Sequence, residues 1–96
     1  MNSMDQQEKI QKHKEIIDKI HQTYIAKNAD YGDSFAKLSN EYGPVYALAH
    51  MEEKLERVKT LFKTNKNNVG EKISDTLLDL ANYAILTAMQ FTEIDK

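Results

Sequence analysis

Glycine and proline are scarce in this chain, and that scarcity constrains its fold more than any other feature. The 96 residues include three glycines and one proline, whereas these two residues together make up roughly 12% of an average protein. A β-sandwich or β-barrel needs turn residues about every 8 to 12 positions, and four such residues cannot supply them. The sequence therefore predicts an all-α fold, a small antiparallel helical bundle of three long helices and one short helix.

The three glycines, Gly32, Gly43 and Gly70, divide the chain and mark the expected helix boundaries. A chain of this length is enough for one compact domain and too short for two, so we expect a single helical domain over residues 1–96. The predicted helices cover about 5–27, 34–41, 44–63 and 70–92.

Apolar periodicity distinguishes the third predicted helix from the fourth. The third carries a narrow apolar seam at spacings of three and four, formed by Leu48, Met51, Leu55, Val58 and Phe62. The fourth is apolar on both sides, and a helix that is apolar nearly all round must be buried nearly all round. Because so small a chain cannot cover both sides alone, we expect a homo-oligomer, a dimer or a larger assembly.

Composition excludes several functional classes. The chain has no cysteine, which removes disulfides, thiolate zinc sites and cysteine nucleophiles together. Thirteen basic and fifteen acidic residues give a net charge of −2, unlike the basic footprint of a nucleic-acid module. No apolar run approaches the length of a membrane span, and the polar N-terminus has no signal-peptide core. We therefore expect a cytoplasmic protein that contacts no membrane and binds no DNA directly.

Acidic residues recur at four-residue spacing on the fourth predicted helix. Glu71, Asp75 and Asp79 lie on one helical face, and Asn82 continues that line. Like charges at this spacing repel one another, and the repulsion grows on a partly desolvated face. A cationic group is therefore expected beside them.

The third predicted helix repeats the pattern, since Glu52 and Glu56 are four residues apart at the border of the apolar seam. Two helices that bring acids to one interface create an oxygen-rich site suited to Mg²⁺ or Mn²⁺. The candidate metal ligands are Glu52, Glu56, Glu71, Asp75 and Asp79. A salt-bridge network is the alternative, because the chain offers Lys37, Lys54, Arg57 and Lys59 to neutralise the same acids.

Two stretches of sequence resemble known families. The run EEKLE at 52–56, followed after fourteen residues by EKISD at 71–75, is similar to the signature of the all-α nucleoside triphosphate pyrophosphatases, the MazG and dimeric dUTPase group. With KNADYGDSF at 27–35 and the segment 71–83, the chain more closely resembles the nucleotide modification associated domain family, type 1, of phages and bacteria.

The resemblance implies a nucleotide-handling protein, and the pyrophosphatase pattern implies magnesium-dependent hydrolysis of (deoxy)nucleoside triphosphates. In that reading Glu53 and Glu56 are the candidate catalytic residues, while Lys54 and Arg57 neutralise the phosphates. One position departs from the pattern: Lys72 stands where the pyrophosphatases have a glutamate, so that ligand is Glu71 or is missing.

The run Asp30-Tyr31-Gly32-Asp33 is the predicted base or sugar contact, with Asn82 as a further nucleotide-binding residue. Tyr31 offers a stacking face, and Gly32 permits close approach of the backbone. The alternative interpretation is an Asx-type turn that buries a tyrosine.

Two further functional classes remain open. The first is a non-catalytic oligomeric binder that sequesters a nucleotide or cyclic nucleotide, which needs Lys54, Arg57 and Tyr31 but tolerates Lys72. The second is a helical interaction module whose apolar seam engages a partner helix. The three histidines, His13, His21 and His50, have no metal-site spacing and are expected at surface or boundary positions.

Overall fold

The computed structural model describes residues 3–31, 33–64 and 72–93. Helices make up 90% of these residues, and the described ranges contain no strand. The predicted all-α class is therefore confirmed. Within the same ranges, no helix is both long and apolar enough to cross a membrane.

Four helices cover the described chain, three of them long and one short. They are α1 (Gln6–Tyr31), α2 (Ser34–Tyr42), α3 (Pro44–Thr64) and α4 (Ile73–Phe91). Within the described residues α4 begins after Lys72, whereas the sequence placed its start at Gly70, which lies outside them.

The predicted end of the first helix near residue 27 is wrong, because α1 continues through Tyr31. Asn28 and Asp30 favour turns only weakly, and the segment contains no proline or glycine before Gly32 that would end a helix. The helix therefore extends four residues beyond the expected end.

The chain divides into two compact units, residues 1–32 and 33–96. In the first unit, α1 is stabilised locally. The Asp5 carboxylate accepts a hydrogen bond from the Glu8 N–H at 2.8 Å, an N-terminal capping contact. Lys14 and Asp18, four residues apart, form an ion pair at 2.7 Å, and the hydrogen bond that Lys14 donates to the Asp18 carboxylate raises the pKa of the Lys14 ammonium.

The second unit contains α2, α3 and α4, with α3 packed chiefly against α4. Asp33 caps α2 by accepting a hydrogen bond from the Ala36 N–H at 3.3 Å. Gly43 joins α2 to α3 at a φ of 77°, a left-handed conformation that glycine adopts without steric cost. Its N–H donates to the Ser39 carbonyl and closes the last turn of α2.

Side chains on α3 and α4 meet in opposite order along the two helices. His50 lies against Tyr83, while Lys54, four residues later, lies against Asp79, four residues earlier. The two helices are therefore antiparallel.

The buried face of α3 is not the predicted apolar seam. Ala47, Val58 and Leu61 are buried, at 0%, 7% and 2% exposure. Of the seam, Val58 is buried and Met51 half-buried, but Leu48, Leu55 and Phe62 are exposed. The periodicity found a real apolar stripe, but α4 packs against the neighbouring side of the helix, where small and polar residues admit a close approach.

Candidate functional site

A groove of about 900 Å³ runs along α3, with Tyr83 of α4 among the residues that line it. Its volume falls within the range of small-molecule sites, roughly 300 to 1,000 Å³. We call it the α3–α4 groove, and its lining residues are Ala49, His50, Glu52, Glu53, Lys54, Glu56, Arg57, Thr60 and Tyr83. Five of these, residues 52, 53, 54, 56 and 57, were site candidates on sequence grounds.

Lys54 bridges the two helices in this groove. Its Nζ lies 3.2 Å from the Asp79 carboxylate, and both side chains are partly buried, at 30% and 41% exposure. The aliphatic part of a lysine covers apolar surface while the ammonium stays near water, so Lys54 can pack on α3 and still present its charge to the groove. Asp79 thus has the cationic neighbour that its acidic helix face required.

An aromatic cluster joins α2, α3 and α4 at one end of the groove. The His50 ring stacks on the Tyr83 ring, with centroids 4.9 Å apart and an interplanar angle of 12°. Tyr46 meets the edge of His50 at 4.6 Å, and Phe35 lies 5.8 Å from Tyr46 and 6.1 Å from Tyr83. Such ring pairs add about 0.5 to 1.5 kcal/mol beyond the area they bury, so the cluster fixes the end of the groove.

Sequence reasoning missed His50 and Tyr83 as groove residues. His50 is half-buried, as predicted for a boundary residue. Its ring also lines the groove, which its spacing from the other histidines did not indicate. The available signal was the four-residue ladder Tyr46, His50, Lys54, which places an aromatic, an imidazole and a cation on one side of α3.

The surroundings of Tyr83 disfavour ionisation of its phenol. Burial raises the pKa of Tyr83, and the nearby Lys54 ammonium partly opposes that rise. Tyr46, Asp79 and Glu53 raise the pKa further, because each disfavours a second negative charge. At neutral pH the Tyr83 hydroxyl is therefore able to donate a hydrogen bond into the groove.

Two of the three groove acids have basic or imidazole neighbours. The Glu56 carboxylate lies 3.0 Å from the Lys59 ammonium, and the Glu53 carboxylate lies 3.7 Å from Nδ1 of His50. Glu52 is exposed on the same wall of the groove. These contacts resemble the salt-bridge alternative more than a shared metal site.

The proposed metal ligands are only partly brought together. Asp79 reaches Lys54 beside the groove, while the exposed Asp75 does not line it, and Glu71 lies outside the described residues. Across residues 3–31, 33–64 and 72–93, no group of three or more His, Asp or Glu side chains is arranged to hold a metal ion. The complete five-acid set stays a prediction.

Two of the predicted nucleotide-binding residues, Asp33 and Asn82, do not line the groove. Asp33 uses its carboxylate to cap α2, and Asn82 is half-buried on α4 next to Tyr83 without lining the groove. Gly32 and the side chains of Asp30 and Tyr31 lie outside the described residues. Their role in nucleotide binding also stays a prediction.

The second unit thus defines a small all-α protein with a groove that combines cations, carboxylates and a stacked aromatic pair. The chain belongs to the family described as nucleotide modification associated domain 1, whose sequence profile matches residues 27–91. This confirms the closer of the two resemblances and relates the chain to nucleotides by family. The similarity to the all-α pyrophosphatases has no such support. Curated proteins and solved structures gave no match.

Proposed function

We propose that this protein binds a nucleotide or a related phosphorylated ligand in the α3–α4 groove, without turning it over. The observation that carries the proposal is the juxtaposition of Lys54 with the stacked His50 and Tyr83 rings in one groove. A nucleotide needs both a cation and an aromatic surface, and the family name points to the same ligand class.

Lys54 and Arg57 serve the phosphates. They are three residues apart on α3, so their side chains project from neighbouring positions on the helix, and both line the groove. A guanidinium binds phosphate through two parallel hydrogen bonds, whereas an ammonium acts as a point charge. A bound phosphate competes with Asp79 for Lys54. The affinity for the ligand therefore depends on the free energy needed to break that ion pair.

His50 and Tyr83 serve the base. Stacking of a base on an aromatic side chain contributes about 1 to 3 kcal/mol and tolerates any base, because every base has a π-face. The neutral Tyr83 hydroxyl and the Glu53 carboxylate then supply one donor and one acceptor for polar edges of the ligand. Binding through these groups needs no metal ion.

Isothermal titration calorimetry tests the proposal with a panel of ribo- and deoxynucleoside mono-, di- and triphosphates and cyclic dinucleotides, in EDTA and in Mg²⁺. We expect at least one ligand to bind in EDTA, and Lys54→Gln to weaken that binding by roughly 10-fold or more, the loss of one charge-assisted contact. The matched control is Lys37→Gln, an exposed lysine of α2 outside the groove. Equal affinity in both variants, or no binding across the panel, contradicts the proposal.

Metal-dependent pyrophosphohydrolysis is the second candidate, favoured by the position of Glu52, Glu53 and Glu56 on the groove wall that also carries Lys54 and Arg57. Magnesium or manganese, held by the predicted acids, would polarise the phosphates and water.

Pyrophosphate release from deoxynucleoside triphosphates in Mg²⁺ decides between the two candidates. Turnover that Glu56→Gln removes while ligand binding persists would establish the hydrolase. Binding with no release in either metal would establish the binder.

A further inference from the structure

The side of α3 next to its buried residues is apolar and exposed. Leu48, Leu55 and Phe62 follow one another at seven-residue spacing and are 52%, 44% and 62% exposed. Residues seven apart lie on one side of a helix, and this is the repeat through which helices pair. We call these three side chains the outer α3 face.

The buried core of the second unit is small. Its buried aliphatic side chains in the described ranges are Ala47, Val58 and Leu61. A domain with so few buried side chains gains little from the hydrophobic effect, and small domains of this kind commonly add burial through oligomerisation. Covering the outer α3 face would bury additional apolar surface.

The charges that flank this face are divided along the helix. The acids come first, at Glu52 and Glu56, and basic residues follow at Lys59 and Lys63. Lys54 is the one base within the acidic half, and its ammonium is directed to Asp79 on α4. This flank of the face therefore changes from acidic to basic just beyond Leu55, between Glu56 and Lys59.

We propose that a second copy of this chain covers the outer α3 face, with the two α3 helices antiparallel about a two-fold axis at Leu55. In this arrangement Leu55 meets the partner's Leu55, and Leu48 meets the partner's Phe62. The acidic half of one helix then faces the basic half of the other, so that Glu52 lies near the partner's Lys59.

Self-complementarity is what selects a second copy over another partner. A two-fold interface requires that one surface match itself after rotation, and a helix with an acidic half and a basic half on either side of an apolar centre meets that requirement. Binding to an unrelated helix does not require the surface of α3 to be complementary to itself. The charge order of α3 is thus explained by pairing with itself.

The pairing adds a residue to the ligand site. Glu52 and Glu56 line the α3–α4 groove, so the partner's Lys59 comes to the edge of that groove. The second copy therefore supplies a cation beside the groove acids. The assembly itself is measured without any ligand, so its test is independent of the proposed nucleotide binding.

Sedimentation velocity on the full chain provides the first test. We expect a species of about twice the 11.1 kDa chain mass, and Leu55→Glu should raise the dimer Kd by roughly 100-fold or more, since it places two carboxylates at the axis. Ile85→Glu is the matched control, because Ile85 on α4 is also 44% exposed; it should leave the dimer intact. Circular dichroism establishes that both variants remain helical.

A wild-type monomer at every concentration overturns the proposal, and it is the result expected if α1 of the same chain covers this face. Equal loss of the dimer in Leu55→Glu and Ile85→Glu overturns it as well. If Leu55→Glu fails to fold, the cysteine test below decides, since its variants keep the centre of the face intact.

Cysteine pairing tests the antiparallel orientation, and the chain has no native cysteine to interfere. Leu48→Cys mixed with Phe62→Cys should form a mixed dimer with a short bis-maleimide, at a yield several times that of Leu48→Cys alone. A higher yield for Leu48→Cys alone would indicate parallel helices, and no cross-linking in either case would place this face outside an interface. Both results overturn the proposal.

Charge reversal tests the ionic contact. Glu52→Lys and Lys59→Glu should each weaken the dimer by about 5- to 10-fold, which is a typical effect of placing like charges opposite one another at an interface. The double variant should recover most of the wild-type affinity, because it restores opposite charges across the axis. Additive weakening in the double variant would contradict the proposed register.

Discussion

The two sides of α3 differ in a way that hydrophobicity alone does not explain. The inner side, which packs against α4, includes Ala47, His50 and Lys54 as well as Leu61, so it mixes small, polar and apolar residues. The outer α3 face is more apolar and yet more than two-fifths exposed at each of its three positions. The less apolar side is the one that is buried.

This difference shows that burial within one chain depends on where a neighbouring helix can approach. Ala47 is small and fully buried, and Lys54 and His50 each have a partner on α4 that compensates their polarity. The outer α3 face has no comparable neighbour within the second unit. The proposed ligand groove and the proposed self-association surface therefore lie on different sides of the same helix.

The largest expected difference between the two sides is in core stability. Leu61→Ala should lower the free energy of unfolding by about 2 to 4 kcal/mol, because it leaves a cavity at a side chain that is 2% exposed. The adjacent Phe62→Ala should cost less than about 1 kcal/mol at protein concentrations where the chain is monomeric, since Phe62 is 62% exposed. Urea unfolding followed by circular dichroism measures both. Equal costs would show that the two sides are buried alike.

The next effect concerns the ion pair on the inner side. A double-mutant cycle with Lys54→Met and Asp79→Asn should give a coupling energy of about 1 kcal/mol, because the two side chains are partly shielded from water. The same urea titrations supply the four unfolding free energies. A coupling energy near zero would mean that Lys54 is solvated independently of α4.

The pH dependence of stability offers a third test. Burial, the leading cause, raises the pKa of Tyr83 above its ordinary value of 10.0, so above that pH the unfolded chain loses this proton before the native chain does. The contribution of Tyr83 is therefore fully present below about pH 10 and is lost as the pH rises through the native pKa. Tyr83→Phe should flatten the alkaline fall in thermal stability.

Tyr42→Phe is the matched control for that experiment, because it removes the same hydroxyl from an exposed tyrosine of α2. An alkaline slope that is identical in wild type and Tyr83→Phe would contradict the burial of the phenol. Thermal melts by circular dichroism at several alkaline pH values provide the measurement.

The smallest effect is expected at the ion pair between Glu56 and Lys59. Their charged atoms are 3.0 Å apart, but the side chains are 71% and 64% exposed. Solvent-exposed pairs contribute little, so Glu56→Gln should change the unfolding free energy of the monomeric chain by less than about 0.5 kcal/mol. A loss of unfolding free energy as large as the coupling energy between Lys54 and Asp79 would contradict the expected difference between the exposed and the partly buried ion pair.

The helical class and the cationic pair of the groove were accessible from the sequence, and the identity of the buried face was not. Four glycines and prolines permit few turns, so the all-α class follows from composition. Lys54 and Arg57 could be singled out because they lie among acids on one helix. Periodicity then favoured Leu48, Leu55 and Phe62 as core, since it reports which side of a helix is apolar and not which side has a neighbour.

The aromatic cluster was beyond sequence reasoning for a related reason. His50 and Tyr83 are distant in the chain and meet only through the register of α3 against α4, which tertiary packing sets. The segment that carries Glu71 lies outside the described residues, so the sequence remains the basis for that ligand. Local patterns thus located the charges, whereas the pairing of helices created the groove.

The stack of His50 on Tyr83 also makes the groove observable by spectroscopy. The chain contains five tyrosines and no tryptophan, so its near-ultraviolet signal comes mainly from phenol rings. A phenol held against an imidazole has a fixed, asymmetric environment, and a base that inserts beside it must alter its circular dichroism and emission. The difference spectrum between wild type and Tyr83→Phe therefore isolates an intrinsic, label-free reporter of whatever enters the groove.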